Sequence, residues 1–428
     1  MRLQKIAFTV LLIAAIWLGG GYAASAQTGK AEPEWRVLAT QAADIFDLRR
    51  KFEAGDILTE AGRHYVGVYL AMTNHDFELA EARLAAAESF ADTFDEDTFS
   101  RSMGGFKIQF LLERGDLAAA IDILESRNEL GAANYIEILK LKRDHPVQVE
   151  TPQEAYKLVN SATTPNRIFI DGAINGQPVP LLFDTGGENT LLVPTIGQPL
   201  LDLALTNITS ENQGIGDLRF SATFGLAGTL QIGAVTFQDT VVTVLNGENP
   251  FRTHANNENW IFGFSEIQHL GEKLAFHVVD GRVDHLIVEP DNVPRFTDEP
   301  NNMARLRDKL VTELVIDGES YACIFDTGAI VSTISQTIFD RHKDALNLKR
   351  LSRREVRRRR LRRRPPNGWR YVDSLPITLG ERQMTLDNTI VRTKTDRDHC
   401  LLGLDTVLAA GGATIDIANL HLTLGPPL

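Results

Sequence analysis

Two short segments of the chain carry the same three residues behind the same kind of strand. Leu181-Leu182-Phe183 leads into Asp184-Thr185-Gly186, and Ala322-Cys323-Ile324-Phe325 leads into Asp326-Thr327-Gly328. An aspartate that follows an apolar run ending in Phe sits at the edge of a core, where its charge is poorly solvated. Two such acids about 3 Å apart cannot both ionise, so they share a proton and can serve as base and acid toward one water molecule. The glycine after each Thr lets backbone N–H groups approach the carboxylate. A lone Asp-Thr-Gly occurs by chance in loops, so the weight lies in its recurrence within matched surroundings.

Those surroundings match over a long stretch. In both copies a turn glycine, Gly176 or Gly318, stands eight residues before the aspartate. Downstream, Trp260-Ile261-Phe262-Gly263 and Cys400-Leu401-Leu402-Gly403 place an apolar-apolar-Gly run 79 and 77 residues after Asp184 and Asp326. Between these anchors each copy has a strand-turn-strand, Thr229 through Gly233 to Val244 and Leu375 through Gly380 to Val391. Each copy then closes on a short helical stretch and a hairpin, Phe276 to Val288 and Thr414 to Leu424. Short Val/Ile/Leu/Thr runs between Gly, Asn and Asp turns predict an all-β domain. The repeat divides it into two lobes, 165–288 and 309–428, joined by a Pro-, Asp- and Asn-rich linker within 289–308.

This doubled pattern resembles the bacterial pepsin/retropepsin-like aspartic peptidases, whether bilobal pepsin-like or retroviral-type half-size enzymes. The resemblance covers about residues 165–428. It implies a bilobal all-β fold with pseudo-two-fold symmetry and hydrolysis of peptide bonds by a water molecule held between Asp184 and Asp326. Thr185, Gly186, Thr327 and Gly328 match the supporting loops, in which the threonine hydroxyls lock the two loops together. Gly263 and Gly403 match the glycines that pack behind each loop. Ala329 gives the Asp-Thr-Gly-Ala form usual in retroviral-type enzymes, with Gly187 at the corresponding place in the first lobe. A flap is expected at Gly214-Ile215-Gly216, 30 residues after Asp184. The substrate would be a peptide or protein, no metal or organic cofactor is called for, and with both copies in one chain a monomer is competent. A second reading fits the same residues: a catalytically inert peptidase-like domain in an exported protein- or peptide-binding protein.

The elements outside the repeat add context. Arg2 and Lys5, the uncharged stretch Ile6 to Leu18 and Ala24-Ser25-Ala26 read as a signal peptide over residues 1–26, which predicts a periplasmic or secreted protein. No later run is apolar enough for a transmembrane helix. Residues 31–150 predict helical hairpins, since Ala, Leu, Glu and Arg dominate and apolar positions recur every three or four residues. Asn74 to Leu84 aligns with Arg114 to Leu124, placing Asp76 on Asp116 and Ala80 on Ala120, 40 residues apart. This resembles helical repeats of the tetratricopeptide type, a surface suited to a protein partner, and an unrelated helical bundle fits the same pattern.

Net charge is −12, which argues against nucleic acid as a partner. Arg350 to Arg364 runs against that balance with ten arginines, a composition expected to be solvated or to form a basic patch. No G-x-S-x-G elbow and no His/Cys cluster of zinc spacing is present. Cys323 and Cys400 replace the apolar Leu181 and Trp260 of the first copy. They are expected as small buried hydrophobes, free to pair in an oxidising compartment.

Overall fold

A computed structural model describes residues 33–40, 44–91, 97–127, 132–192, 201–213, 219–246, 260–290, 301–306, 309–346, 348–350, 370–392 and 400–427. The expected signal peptide 1–26, the flap residues Gly214-Ile215-Gly216, much of the linker 289–308 and nearly all of the arginine segment lie outside these residues. An N-terminal helical region is followed by two β-barrel lobes, as the bilobal expectation required. Among the described residues, no helix is long and apolar enough to cross a membrane.

The helical region holds α1 (Glu34–Thr40), α2 (Ile45–Ala54), α3 (Glu60–Thr73), α4 (Phe77–Ala91), α5 (Asp97–Glu113), α6 (Leu117–Arg127) and α7 (Ala133–Asp144). The two aligned sequence segments fold alike. His75 and Gly115 take φ of 56° and 76° at the turns before α4 and α6. Asp76 Oδ1 then accepts the Leu79 N–H at 3.0 Å, and Asp116 Oδ1 accepts the Ala119 N–H at 3.1 Å. Each aspartate thus satisfies a helix-start donor that has no intrahelical partner. Ala80 and Ala120 are wholly buried, where a larger side chain would hold neighbouring helices apart. Trp35 packs edge-on to Phe99 with centroids 5.3 Å apart, and Tyr65 lies edge-on to Phe106 at 5.2 Å.

The first β repeat contains β1 (Gln148–Glu150), β2 (Tyr156–Val159), β3 (Phe169–Ile174), β4 (Gln177–Phe183) and β5 (Leu191–Leu192). It continues with β6 (Ala204–Gln213), β7 (Arg219–Ile232), β8 (Val235–Leu245), β9 (Trp260–Phe262), α8 (Phe264–Ile267), β10 (Lys273–Val279) and β11 (Arg282–Glu289). The second contains β12 (Met303–Arg305), β13 (Leu310–Ile316), β14 (Glu319–Phe325), β15 (Thr333–Ser335), α9 (Gln336–Arg341) and β16 (Leu348–Arg350). It ends with β17 (Arg370–Leu379), β18 (Arg382–Arg392), β19 (Cys400–Leu402), α10 (Leu404–Ala410), β20 (Gly412–Asp416) and β21 (His421–Leu424).

The duplication is visible strand by strand. β3 and β4 form a hairpin about Asn175-Gly176, and β13 and β14 form one about Asp317-Gly318. All four turn residues have positive φ, from 48° to 81°, the conformation that suits an Asn-Gly or Asp-Gly turn between right-twisted strands. β4 then runs parallel to β9, with Phe183 opposite Phe262. β14 runs parallel to β19, with Phe325 opposite Leu402. In each lobe a further short strand, β5 or β15, pairs antiparallel on the other side of β9 or β19. A five-stranded sheet in the order β2-β11-β10-β20-β21 takes strands from both repeats. Behind the first Asp-Thr-Gly segment, Phe183 lies 6.1 Å from Phe262 and 6.2 Å from Phe276, centroid to centroid, all three fully buried.

The chain falls into two compact units. One comprises the described parts of Met1–Gln148, Leu203–Ala227 and Asp239–Pro250; the other comprises those of Val149–Asp202, Gly228–Gln238 and Phe251–Leu428. Both Asp-Thr-Gly segments belong to the second unit. In the first, α7 packs against β6, which pairs with the N-terminal part of β7.

Candidate active site

Asp184 and Asp326 each follow the last residue of a strand paired on both edges, β4 between β3 and β9 and β14 between β13 and β19. Their N–H groups donate to the Phe262 and Leu402 carbonyls, at 3.1 and 2.9 Å, so the parallel pairing continues into each loop and fixes where it starts. Thr185 and Thr327 then tie the two loops together. The Thr185 hydroxyl donates to the Phe325 carbonyl at 2.9 Å and accepts the Thr327 N–H at 3.0 Å. The Thr327 hydroxyl donates to the Phe183 carbonyl at 2.8 Å and accepts the Thr185 N–H at 3.1 Å. Both threonines are buried, so these four bonds satisfy groups that water does not reach.

This lock brings the two carboxyl groups within hydrogen-bonding reach of one another. Asp184 Oδ1 accepts the N–H groups of Gly186 and Gly187, both at 2.9 Å. Asp326 Oδ1 accepts the Ala329 N–H at 2.9 Å, the same bond that Gly187 makes in the first loop. The glycines of the motif are required by space. A Cβ on Gly186 would stand 2.3 Å from the Asp326 Cγ, and a Cβ on Gly328 the same distance from the Asp184 Cγ. Each glycine therefore makes room for the carboxylate of the opposite loop.

Burial raises the pKa of both acids. Asp326 lies well above the ordinary carboxylate range, because the neighbouring Asp184 charge adds to its desolvation. For Asp184 the hydrogen bond with Asp326, then the two glycine N–H groups and the Arg167 charge, act in the opposite direction. The pair titrates as a unit, with the proton favoured on Asp326.

Gly263 and Gly403 stand where the sequence placed them. A Cβ on Gly263 would meet the Asn189 carbonyl carbon and oxygen at 2.5 Å, and one on Gly403 would meet the Ala329 oxygen at 2.8 Å. Each loop is thus backed by a strand end that tolerates no side chain.

Several residues here escape the sequence reading. Buried Glu266, in α8, accepts both the N–H and the hydroxyl of Thr190, and the Thr190 Oγ1 in turn accepts the Gly263 N–H. Asp405, in α10, does the same for Ser332, whose Oγ accepts the Gly403 N–H at 3.0 Å. Burial raises the Asp405 pKa. The two braces occupy equivalent places, but the acid stands three residues after the anchor glycine in one copy and two in the other. A residue-by-residue alignment therefore hides them, and an acid shortly after each anchor glycine was the available signal. Arg167, from the segment before β3, donates to the Gly328 carbonyl at 2.6 Å. No sequence signal marked it.

Cys323 and Cys400 stand directly opposite each other on the parallel strands β14 and β19 and are joined by a disulfide, with Cα atoms 4.5 Å apart. The expected burial holds for both. Of the two states left open by the sequence, the bonded one is found.

No family model matches the chain, and no curated protein is significantly similar to it. Among solved structures, the aspartic proteinase from Irpex lacteus aligns at 16% identity with a TM-score of 0.41, covering 64% of this chain and 97% of the other.

Proposed function

We propose that this chain is an aspartic endopeptidase. The observation that carries the reading is the reciprocal Thr185–Thr327 lock, which holds two desolvated carboxyl groups against each other. Asp184, with two N–H donors on one oxygen, is the better anion and the base; Asp326, with its raised pKa, is the acid. Asp184 removes a proton from water as the water oxygen attacks the scissile carbonyl carbon, while Asp326 protonates the carbonyl oxygen. Collapse of the resulting diol breaks the C–N bond, as Asp184 gives its proton to the leaving nitrogen and Asp326 takes one from a diol hydroxyl. The products are a carboxylic acid and an amine, and the dyad regains its single proton.

The same reading extends to compartment and partners. The signal-peptide pattern of residues 1–26 and the Cys323–Cys400 disulfide both favour an exported, periplasmic or secreted protein, since disulfides persist in oxidising compartments. The helical hairpins would present a protein partner or substrate, or serve as a regulatory segment. Cleavage of an unstructured peptide library from about pH 3 to about pH 7.5 tests the reading. Activity that is blocked by a statine-type inhibitor and lost in Asp326→Asn supports it. Activity undiminished by Asp326→Asn overturns it, and no cleavage of any peptide favours an inert binding domain.

A further inference from the structure

Arg167 comes from one repeat and touches the Asp-Thr-Gly loop of the other. It precedes β3, whose Phe169 faces Leu182, two residues before Asp184. Its backbone is clamped there by the buried side chain of Asn160. Asn160 Nδ2 donates to the carbonyls of Arg167 and Val283 at 3.0 and 2.6 Å, and Asn160 Oδ1 accepts the Phe169 N–H at 2.9 Å. From this anchored base the half-buried Arg167 side chain crosses to the second loop and donates to the Gly328 carbonyl at 2.6 Å. That carbonyl shares one peptide unit with the Ala329 N–H, which donates to Asp326 Oδ1 at 2.9 Å. A positive donor on the oxygen of a peptide polarises its N–H, so the bond to Asp326 is strengthened and the peptide plane is held at both ends. Gly328 also lies against the other acid, since a Cβ there would stand 2.3 Å from the Asp184 Cγ.

Lys309 takes the equivalent place in the second repeat. It precedes β13, whose Val311 faces Ile324, two residues before Asp326. Its Nζ lies 3.4 Å from the carboxylate of exposed Glu188, so this pair sits where solvent screens it. The two cations thus match in position and differ in what they hold. Arg167 favours the ionised form of Asp184, and Lys309 that of Asp326; Arg392 is a third cation that interacts with Asp326.

We propose that Arg167 is a positioning residue for the carboxyl pair: through the Gly328–Ala329 peptide it fixes the hydrogen-bond donor of Asp326, and it keeps the pair's single negative charge on Asp184. The consequence for rate rests on the peptidase reading; the consequence for acidity does not.

The test is a carbon-13 NMR titration of the full-length protein labelled at its aspartate carboxyl carbons, with Asp326→Asn used to assign the pair. Loss of a cation favours the protonated form. The pair should therefore lose its first proton at higher pH in Arg167→Gln than in wild type. Arg167→Lys keeps the charge without the planar fork and should fall between them. Lys309→Gln removes an equal charge but leaves the Gly328 peptide held, and should shift the titration less. In peptide cleavage the acidic limb of kcat/KM should move with the titration. At the optimum, kcat of Arg167→Gln should be about tenfold lower with KM within about twofold of wild type. An unchanged titration in Arg167→Gln overturns the proposal, and so does a shift no larger than that of Lys309→Gln, which would make the effect one of charge alone. A lower melting midpoint with the titration in place would make Arg167 a structural tie only, and overturns it too. Because the titration needs no turnover, a wild type that cleaves no peptide refutes the peptidase reading and leaves this one decided by the NMR.

Discussion

Thr185 and Thr327 each donate a hydroxyl to the other loop's strand and accept the other's N–H, so neither loop can shift without breaking bonds in both. These bonds directly join two segments 142 residues apart and hold their carboxyl groups in contact. Replacing Thr185 with Val keeps the shape but leaves the Phe325 carbonyl and the Thr327 N–H buried without a partner. A loss of about 2 kcal/mol is expected, with Thr185→Ser close to wild type. Denaturant melts of the three proteins check this.

Asp326→Asn removes the acid of the dyad without changing its volume. Peptide cleavage should fall at least about a hundredfold in kcat/KM. The fold should not suffer, because the amide spares the chain a desolvated, repelled charge. An inactive variant whose thermal midpoint matches or exceeds the wild type's is the expected pair of results.

Asp326 also gives stability a pH dependence of definite sign. Its pKa is raised on folding, so the protonated carboxyl favours the native state and the ionised one opposes it. The stabilisation is complete below the ordinary carboxylate value of ~3.9 and is lost as pH rises through the raised native value. Thermal midpoints of wild type should therefore fall relative to Asp326→Asn between mild acid and neutral pH. The alkaline limb of kcat/KM should lie above the ordinary carboxylate range. Parallel melting profiles for the two proteins would refute the assignment.

The loop glycines make a separate test. Gly328→Ala forces a methyl group to within 2.3 Å of the Asp184 Cγ, and Gly186→Ala does the same to Asp326. Either must push the carboxylates apart. A displacement of about 1 Å costs on the order of a hundredfold in rate. Loss of activity in a protein whose circular dichroism is native would distinguish this from global unfolding.

Reducing the Cys323–Cys400 bridge opens a loop with a sequence separation of 77. Chain-entropy arguments put the loss at about 4 kcal/mol. Cys323→Ser and Cys400→Ser, alone or together, should lower the melting midpoint by the same amount, since either one abolishes the single bond. A double variant much less stable than each single one would mean that the thiols pack separately.

The dyad, the two-lobe repeat and the helical N-terminal region were all readable along the chain because their determinants are local. Short Val/Ile/Leu/Thr runs between Gly, Asn and Asp turns mark the strands. Asn175-Gly176 and Asp317-Gly318 mark the turns, since few residues accept positive φ, and Asp76 and Asp116 mark helix starts. What the tertiary structure decided are pairings across long separations. Ser332 meets Asp405, Thr190 meets Glu266, and Arg167 reaches Gly328. The partner of a buried polar group is set by which backbone segments the folded sheets bring side by side, and that information is spread over the whole chain. Cys323 and Cys400 show both sides: spacing alone placed them in equivalent buried positions before Asp326 and Gly403, but only the parallel register of β14 and β19 put one directly opposite the other.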